Sequence, residues 1–113
     1  MARPPRRGDI WLVDLGNPVG HEAGSRRFGL VVSADAQNQF GIITILPITE
    51  TRTGYASNVE IEPSPSGLQV TSYIQVEQIR SVSAARLETL AATVDPVTMV
   101  RVEQVLGWIL GLG

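Results

Sequence analysis

Residues 28–48, FGLVVSADAQNQFGIITILPI, hold two short runs rich in Val and Ile, 28–33 and 40–48, on either side of the polar segment Asp35-Ala36-Gln37-Asn38. Each run is too short for a helix, and the segment between them offers turn residues, so the stretch predicts a buried β-hairpin. Working outward, residues 10–15 (IWLVDL) are introduced by Gly8 and closed by Gly16-Asn17-Pro18, which predicts a first strand. Residues 58–62 (NVEIE) alternate polar and apolar as a half-exposed strand does. Gly67 opens a longer strand-like stretch, 68–82, whose apolar load is Val70, Ile74, Val76 and Ile79, and a last short strand is expected over 87–93.

At the C-terminus the period changes. Asp95-Pro96 supplies an N-cap and a first-turn proline, and Met99, Val102, Leu106, Ile109 and Leu110 then recur at steps of three and four until Gly111, predicting one amphipathic helix. Gly107 in its interior calls for close packing there or a frayed last turn. Short strands finished by one helix give a mainly β (α+β) class, a small, strongly bent sheet or partly open barrel with the helix on one side. The 113 residues read as one domain, 1–113, with residues 1–6, two prolines and two arginines among them, as a disordered tail.

Charge narrows the partners. Nine arginines face eleven acidic residues, a net charge of −2, which argues against a polycation that coats nucleic acid indiscriminately. No lysine is present, so every cation is a planar fork suited to phosphate or carboxylate, although a GC-rich genome produces the same bias. Without cysteine, a disulfide scaffold, a thiolate zinc site and a cysteine nucleophile are excluded. MARPPRR is basic like a signal n-region, but Asp9 and Asp14 interrupt the residues after it. Neither a secretion signal nor a membrane span of roughly 20 residues is expected, and the default address is the cytoplasm.

Two loops carry the polar chemistry. The first, Gly16–Arg26 leading into Arg27, gathers the only histidine, His21, with Glu22, Arg26 and Arg27, the parts needed for proton transfer and phosphate binding. The second, Thr49–Ser57, holds Thr49, Thr51, Thr53, Arg52 and Tyr55, and hydroxyl, guanidinium and ring together suit a single-stranded nucleic acid. Each residue also has a plainer reading. His21 alone in a glycine-flanked loop is most often a solvated polar residue, and Arg26 and Arg27 read as surface partners of Glu22 or Asp14. If Arg27 begins a strand, alternation lets only one of the two arginines face the active side. Thr49 is placed to hydrogen-bond the turn after it, Glu77 and Gln78 to sit in an ordinary alternating strand, and Trp11 to anchor the core.

Five blocks in order, RRGDIWLVDL at 6–15, GHEAGSRR at 20–27 leading into LVVS, LPIT at 46–49, SYIQVEQIRSV at 72–82 and DPVTM at 95–99, resemble the MazF/PemK (Kid) toxin family of toxin–antitoxin systems over residues 6 to 111. The resemblance implies an SH3-like barrel of the CcdB/MazF kind and a homodimer. It also implies metal-independent, cofactor-free cleavage of single-stranded RNA at short recognition sequences, with 2′,3′-cyclic phosphate and 5′-hydroxyl products, and a cognate MazE-like antitoxin as partner. By position the family's catalytic arginine falls on Arg27, for charge stabilisation, and its threonine on Thr49, for holding the scissile phosphate. Its acidic residue falls on Glu22, a candidate base, and the Kid-branch histidine on His21, for phosphate binding or proton shuttling.

Around that catalytic set, Arg26, Thr51, Arg52, Gln75, Glu77 and Gln78 are the further RNA-binding candidates. The chain departs from the pattern at two places. Phe28 stands where many members have proline, with Arg26 before the catalytic arginine. Gln75 and Glu77 stand where the Kid branch has an arginine and an aspartate, so that branch's acid–base pair does not carry over whole. Two other functions compete: a non-enzymatic toxin of the same fold that blocks DNA gyrase, which requires an exposed C-terminal helix, and a small SH3-like binding module. Arg7, Arg26, Arg27 and Arg52 are the cations expected in or near an RNA groove, and so few of them predict weak nonspecific binding.

Overall fold

The computed structural model describes residues 3–63 and 67–113. In chain order the elements are β1 (Asp9–Asp14), β2 (Arg26–Val31), a single helical turn α1 (Asp35–Asn38), β3 (Ile42–Thr49), β4 (Asn58–Ile61), β5 (Ser72–Gln75), β6 (Arg80–Ser83), β7 (Leu87–Thr93) and the terminal helix α2 (Pro96–Ile109). The strands run β4-β5-β3-β2-β1-β7, all neighbours antiparallel, with β6 pairing β3 off that path, so the sheet does not close.

The bend comes from β3, which changes partner along its length. Ile42–Ile45 pairs β6, whereas Ile48 and Thr49 pair β5. Pro47, with no N–H to offer, sits in the gap between the two partners, where a proline is tolerated in a sheet. The expected hairpin of 28–33 and 40–48 forms as β2 and β3, with the polar connection folded into α1. Its Asn38 is buried and bonded to Ser33 and to the Pro5 carbonyl.

The stretch 68–82 is not one strand. Residues Val76–Gln78 form a 3-10 turn between β5 and β6, with no glycine or proline to announce it. The turn buries Val76 completely and sends β6 to the first half of β3.

Strand alternation divides the apolar residues between two cores. One, around Ile10, Leu30, Leu46, Ile48, Ile74 and Val102, is covered by α2; the other gathers Trp11, Val13, Val31, Ile43, Ile45 and Leu87. Helix α2 is capped as expected, the Asp95 carboxylate accepting from Thr98 N–H at 2.7 Å. It ends in a Schellman motif: Leu112 N–H reaches the Gly107 carbonyl, Gly111 N–H reaches that of Trp108, and Gly111 takes φ +70°. The close packing expected at Gly107 is absent among the described residues, a Cβ there meeting only the Gly113 carbonyl oxygen at 3.8 Å, and the last turn is closed rather than frayed.

The tail expectation does not hold for residues 3–6. Arg3 grips both carboxylate oxygens of Asp9 at 2.9 Å, Arg6 N–H donates to the same carboxylate at 2.8 Å, and Pro5 is buried. Residues 1 and 2 lie outside the described residues. Arg7 is drawn away from any groove as well, bonding Glu103 and the Val32 carbonyl.

Candidate active site

The connection from β1 to β2 is long but well braced. Leu15 N–H bonds the Ser25 carbonyl and Ser25 N–H the Gly16 carbonyl, which draws the loop's ends together. Within it, Gly20 and Ser25 adopt φ near +60°, a conformation glycine tolerates but one that strains serine. Gly24 lies so close to Pro18 that a Cβ built there would come within 2.4 Å of the proline ring. Glu22 Oε1 accepts from Val19 N–H at 2.9 Å.

Thr49 ends β3. The β2–β3 ladder pairs Val31 with Ile45 and Gly29 with Pro47. Beyond Gly29 and Pro47, Arg27 pairs Val13 of β1 and Thr49 pairs Tyr73 of β5, and the two residues come together as walls of one cleft. Thr49 Oγ1 accepts from Thr51 N–H at 3.1 Å, the turn bond expected of it.

Beside these residues lies a cleft of about 780 Å³ whose walls include Glu22, Arg26, Arg27, Phe28 and Thr49. Both arginines line it despite the alternation of the strand, but they are not equivalent. Arg26 is ion-paired with Glu88 at 3.0 Å. Arg27 is tethered only by Nε to the Gly24 carbonyl at 3.1 Å, and among the described residues no carboxylate pairs with it. The rest of its donor fork is available to an anion. The pairings with Glu22 and Asp14 do not form; Asp14 instead accepts from Gly16 N–H.

The cleft therefore collects Glu22, Arg26, Arg27 and Thr49, while six other candidates lie off its walls. His21 is exposed on the loop, and Thr51 and Arg52 are exposed in the β3–β4 connection. Glu77 accepts from Ser57 Oγ at 2.9 Å and Asn58 Nδ2 at 2.8 Å, tying the turn after β5 to β4. Gln78 bonds the backbone of the β1–β2 loop. Gln75 lies opposite Asn58, its Oε1 buried without a hydrogen-bond partner. Glu50 and Gln69, which sequence reasoning passed over, also line the cleft; neither belongs to a motif that marks it. Among the described residues no three His, Asp or Glu side chains converge as they would on a metal ion, and no helix is long and apolar enough to cross a membrane.

Comparison with known proteins places the chain in a family. Endoribonuclease MazF9 of Mycobacterium tuberculosis is 35% identical over 108 residues, covering 89% of this chain and 92% of that protein. Endoribonuclease EndoA of Bacillus subtilis is 31% identical over 104 residues, covering 89% and 90%. The crystal structure of MazF from Deinococcus radiodurans superposes with a TM-score of 0.85 at 28% identity, covering 96% of this chain and 98% of that one. A mycobacterial endoribonuclease in complex with its cognate antitoxin superposes at 0.81 with 26% identity, covering 96% and 97%. The family model described as PemK-like, MazF-like toxin of type II toxin–antitoxin systems matches residues 6–110, and the chain belongs to that family.

Proposed function

We propose that the chain cuts single-stranded RNA in the cleft that joins Arg27, Thr49 and Glu22, by transesterification and without a metal. Membership of the family makes it an endoribonuclease toxin of a type II toxin–antitoxin system. The observation that carries the proposed site is one cleft lined by a hydroxyl, a carboxylate and an arginine that no carboxylate among the described residues pairs with.

In the reaction the ribose 2′-oxygen attacks phosphorus, and the Glu22 carboxylate takes the hydroxyl proton. Arg27 then faces the charge that builds on the non-bridging oxygens, where preorganised donors act most strongly. Thr49 orients the phosphate. The P–O5′ bond breaks, the departing oxygen takes a proton from water, and the products carry a 2′,3′-cyclic phosphate and a 5′-hydroxyl. Arg27 supplies charge rather than a proton, since a guanidinium does not deprotonate in proteins.

Cleavage of mRNA in the cytoplasm would halt translation and growth. The relatives crystallised with an antitoxin support a cognate MazE-like antitoxin as partner, and we take the active form to be a homodimer. One observation keeps the gyrase-blocking reading in view: Trp108, Leu110 and Leu112 at the C-terminus are all exposed, as that reading requires. Purified protein incubated with mixed single-stranded RNA in EDTA, followed by mapping of the cut ends, tests the proposal. Cyclic-phosphate ends that disappear with Arg27→Ala are expected. No cleavage, together with inhibited gyrase supercoiling, would transfer the assignment to the alternative.

A further inference from the structure

We propose that Gln78 is a positioning residue for the cleavage reaction, acting through Glu22. Its Oε1 accepts from Ala23 N–H at 3.0 Å and its Nε2 donates to the His21 carbonyl at 2.8 Å. Those groups belong to the two peptide bonds on either side of Glu22, so one carboxamide holds both peptide planes that aim the carboxylate.

The clamp reaches across more than fifty residues of sequence and is itself well founded. Gln78 closes the turn whose Val76 is fully buried in the core beneath α2. Val76 N–H bonds the Ser57 carbonyl, and Glu77 holds Ser57 and Asn58 through their side chains. Within the loop Glu22 is tied only to Val19, its N–H reaching the Val19 carbonyl at 3.2 Å and its Oε1 accepting from Val19 N–H at 2.9 Å, and the Gln78 clamp adds a hold from outside the loop. Ala23 packs its methyl group into the second core, which anchors the loop beside Glu22. A side chain with both polar ends bound to main chain has little left with which to read a base. Its contribution is to geometry, where an ångström of error in a reacting group matters.

The inference rests on the nuclease reading, and its test separates the two. Gln78→Ala removes both bonds. Gln78→Glu is of equal size, keeps the acceptor for Ala23 N–H, and loses the donor to the His21 carbonyl. For the folded variants, checked by melting temperature, kcat on a short RNA should fall by about 10²-fold, the scale of an ångström misplacement, while KM stays within about threefold. Amide exchange at Ala23 should accelerate in Gln78→Ala while the β1–β2 rungs stay protected. In a Glu22→Ala background, Gln78→Ala should reduce the residual cleavage no further, because the two substitutions remove one function.

Wild-type kcat in Gln78→Ala would overturn the proposal, as would a raised KM with kcat unchanged, the mark of direct RNA contact. A full additional loss in the Glu22→Ala background would overturn it too. Wild-type protein that cuts no RNA would sink the nuclease reading itself, a result distinct from each of these.

Discussion

Arg27 and Gly24 are joined by one hydrogen bond, Nε to carbonyl oxygen at 3.1 Å, and that bond orients a guanidinium which no described carboxylate neutralises. Arg26, one residue earlier, is held by Glu88 instead. The two should respond differently to removal. Arg27→Ala is expected to lower kcat by about 10²–10³-fold, as loss of a charge-stabilising donor does, with the melting temperature little changed. Arg26→Ala should weaken RNA binding only modestly. Cleavage kinetics of both variants on one substrate check the contrast.

Gly24 cannot gain a side chain where it stands, because its Cβ would fall 2.4 Å from Pro18 Cδ. Gly24→Ala must therefore push apart the strap that carries Glu22 and the carbonyl that holds Arg27. We expect about 1–3 kcal/mol of destabilisation, typical of overpacking, and a fall in kcat larger than the thermal shift alone explains. Gly24→Ala/Pro18→Ala should recover part of both, measured by denaturant unfolding and single-turnover cleavage.

Asp9 couples the stability of the fold to pH on the acid side. Burial pushes its carboxyl up, but hydrogen bonds from Arg3, Arg6 N–H and Trp11 Nε1, with the Arg3 charge, outweigh that effect, and the pKa lies below the ordinary aspartate value. A carboxyl whose folded pKa is depressed stabilises the fold fully above its unfolded value, about 3.9, and this contribution is lost as pH falls through the lower folded value. Unfolding followed between pH 6 and pH 2 should show that loss. Asp9→Ala should remove about 3 kcal/mol at neutral pH by stranding its partners and flatten the acid limb.

Phe28 faces the cleft from β2 while more than a third of its surface is exposed, an aromatic ring beside the arginines. Phe28→Ala is expected to weaken single-stranded RNA binding by about 1–3 kcal/mol, the worth of one stacked base, with Phe28→Trp close to wild type. Binding measured on the Arg27→Ala background separates this effect from turnover.

Few cations meet the cleft. Arg7 is bound to Glu103, and Arg52 lies off the walls, leaving Arg26 and Arg27. With two phosphates neutralised, log–log salt titration of single-stranded RNA binding should give a slope of about −1.4. A slope several times steeper would show an extended basic footprint.

Legibility in the sequence tracks the range of the interactions. The β2 and β3 runs, and the capped helix begun by Asp95-Pro96, are written in local pattern and turn chemistry, and they form where expected. The break at Val76–Gln78 is not, because burial of Val76 imposes it without any turn residue. Arg3 and Asp9 show why a proline- and arginine-rich start need not be loose: a buried carboxylate six residues on holds it. Of the candidate site, Arg27, Thr49 and Glu22 were legible through family blocks. Gln78 was legible as a polar residue near the site, but its grip on residues 21 and 23 depends on a fold that brings them together.

The β2–β3 register has a consequence for how such a toxin is disarmed. Arg27 and Thr49 line one cleft from strands whose register is set by rungs such as Gly29 across from Pro47, and a slip of one position would turn one strand's side chains to the opposite face. Survivors of unchecked toxin expression can thus escape by altering α1 or the residues beside it, which set the spacing of the two strands, without touching any atom in the cleft. Such alleles would retain both Arg27 and Thr49, and a genome reader scanning for those residues would count as armed a gene that had already fallen silent.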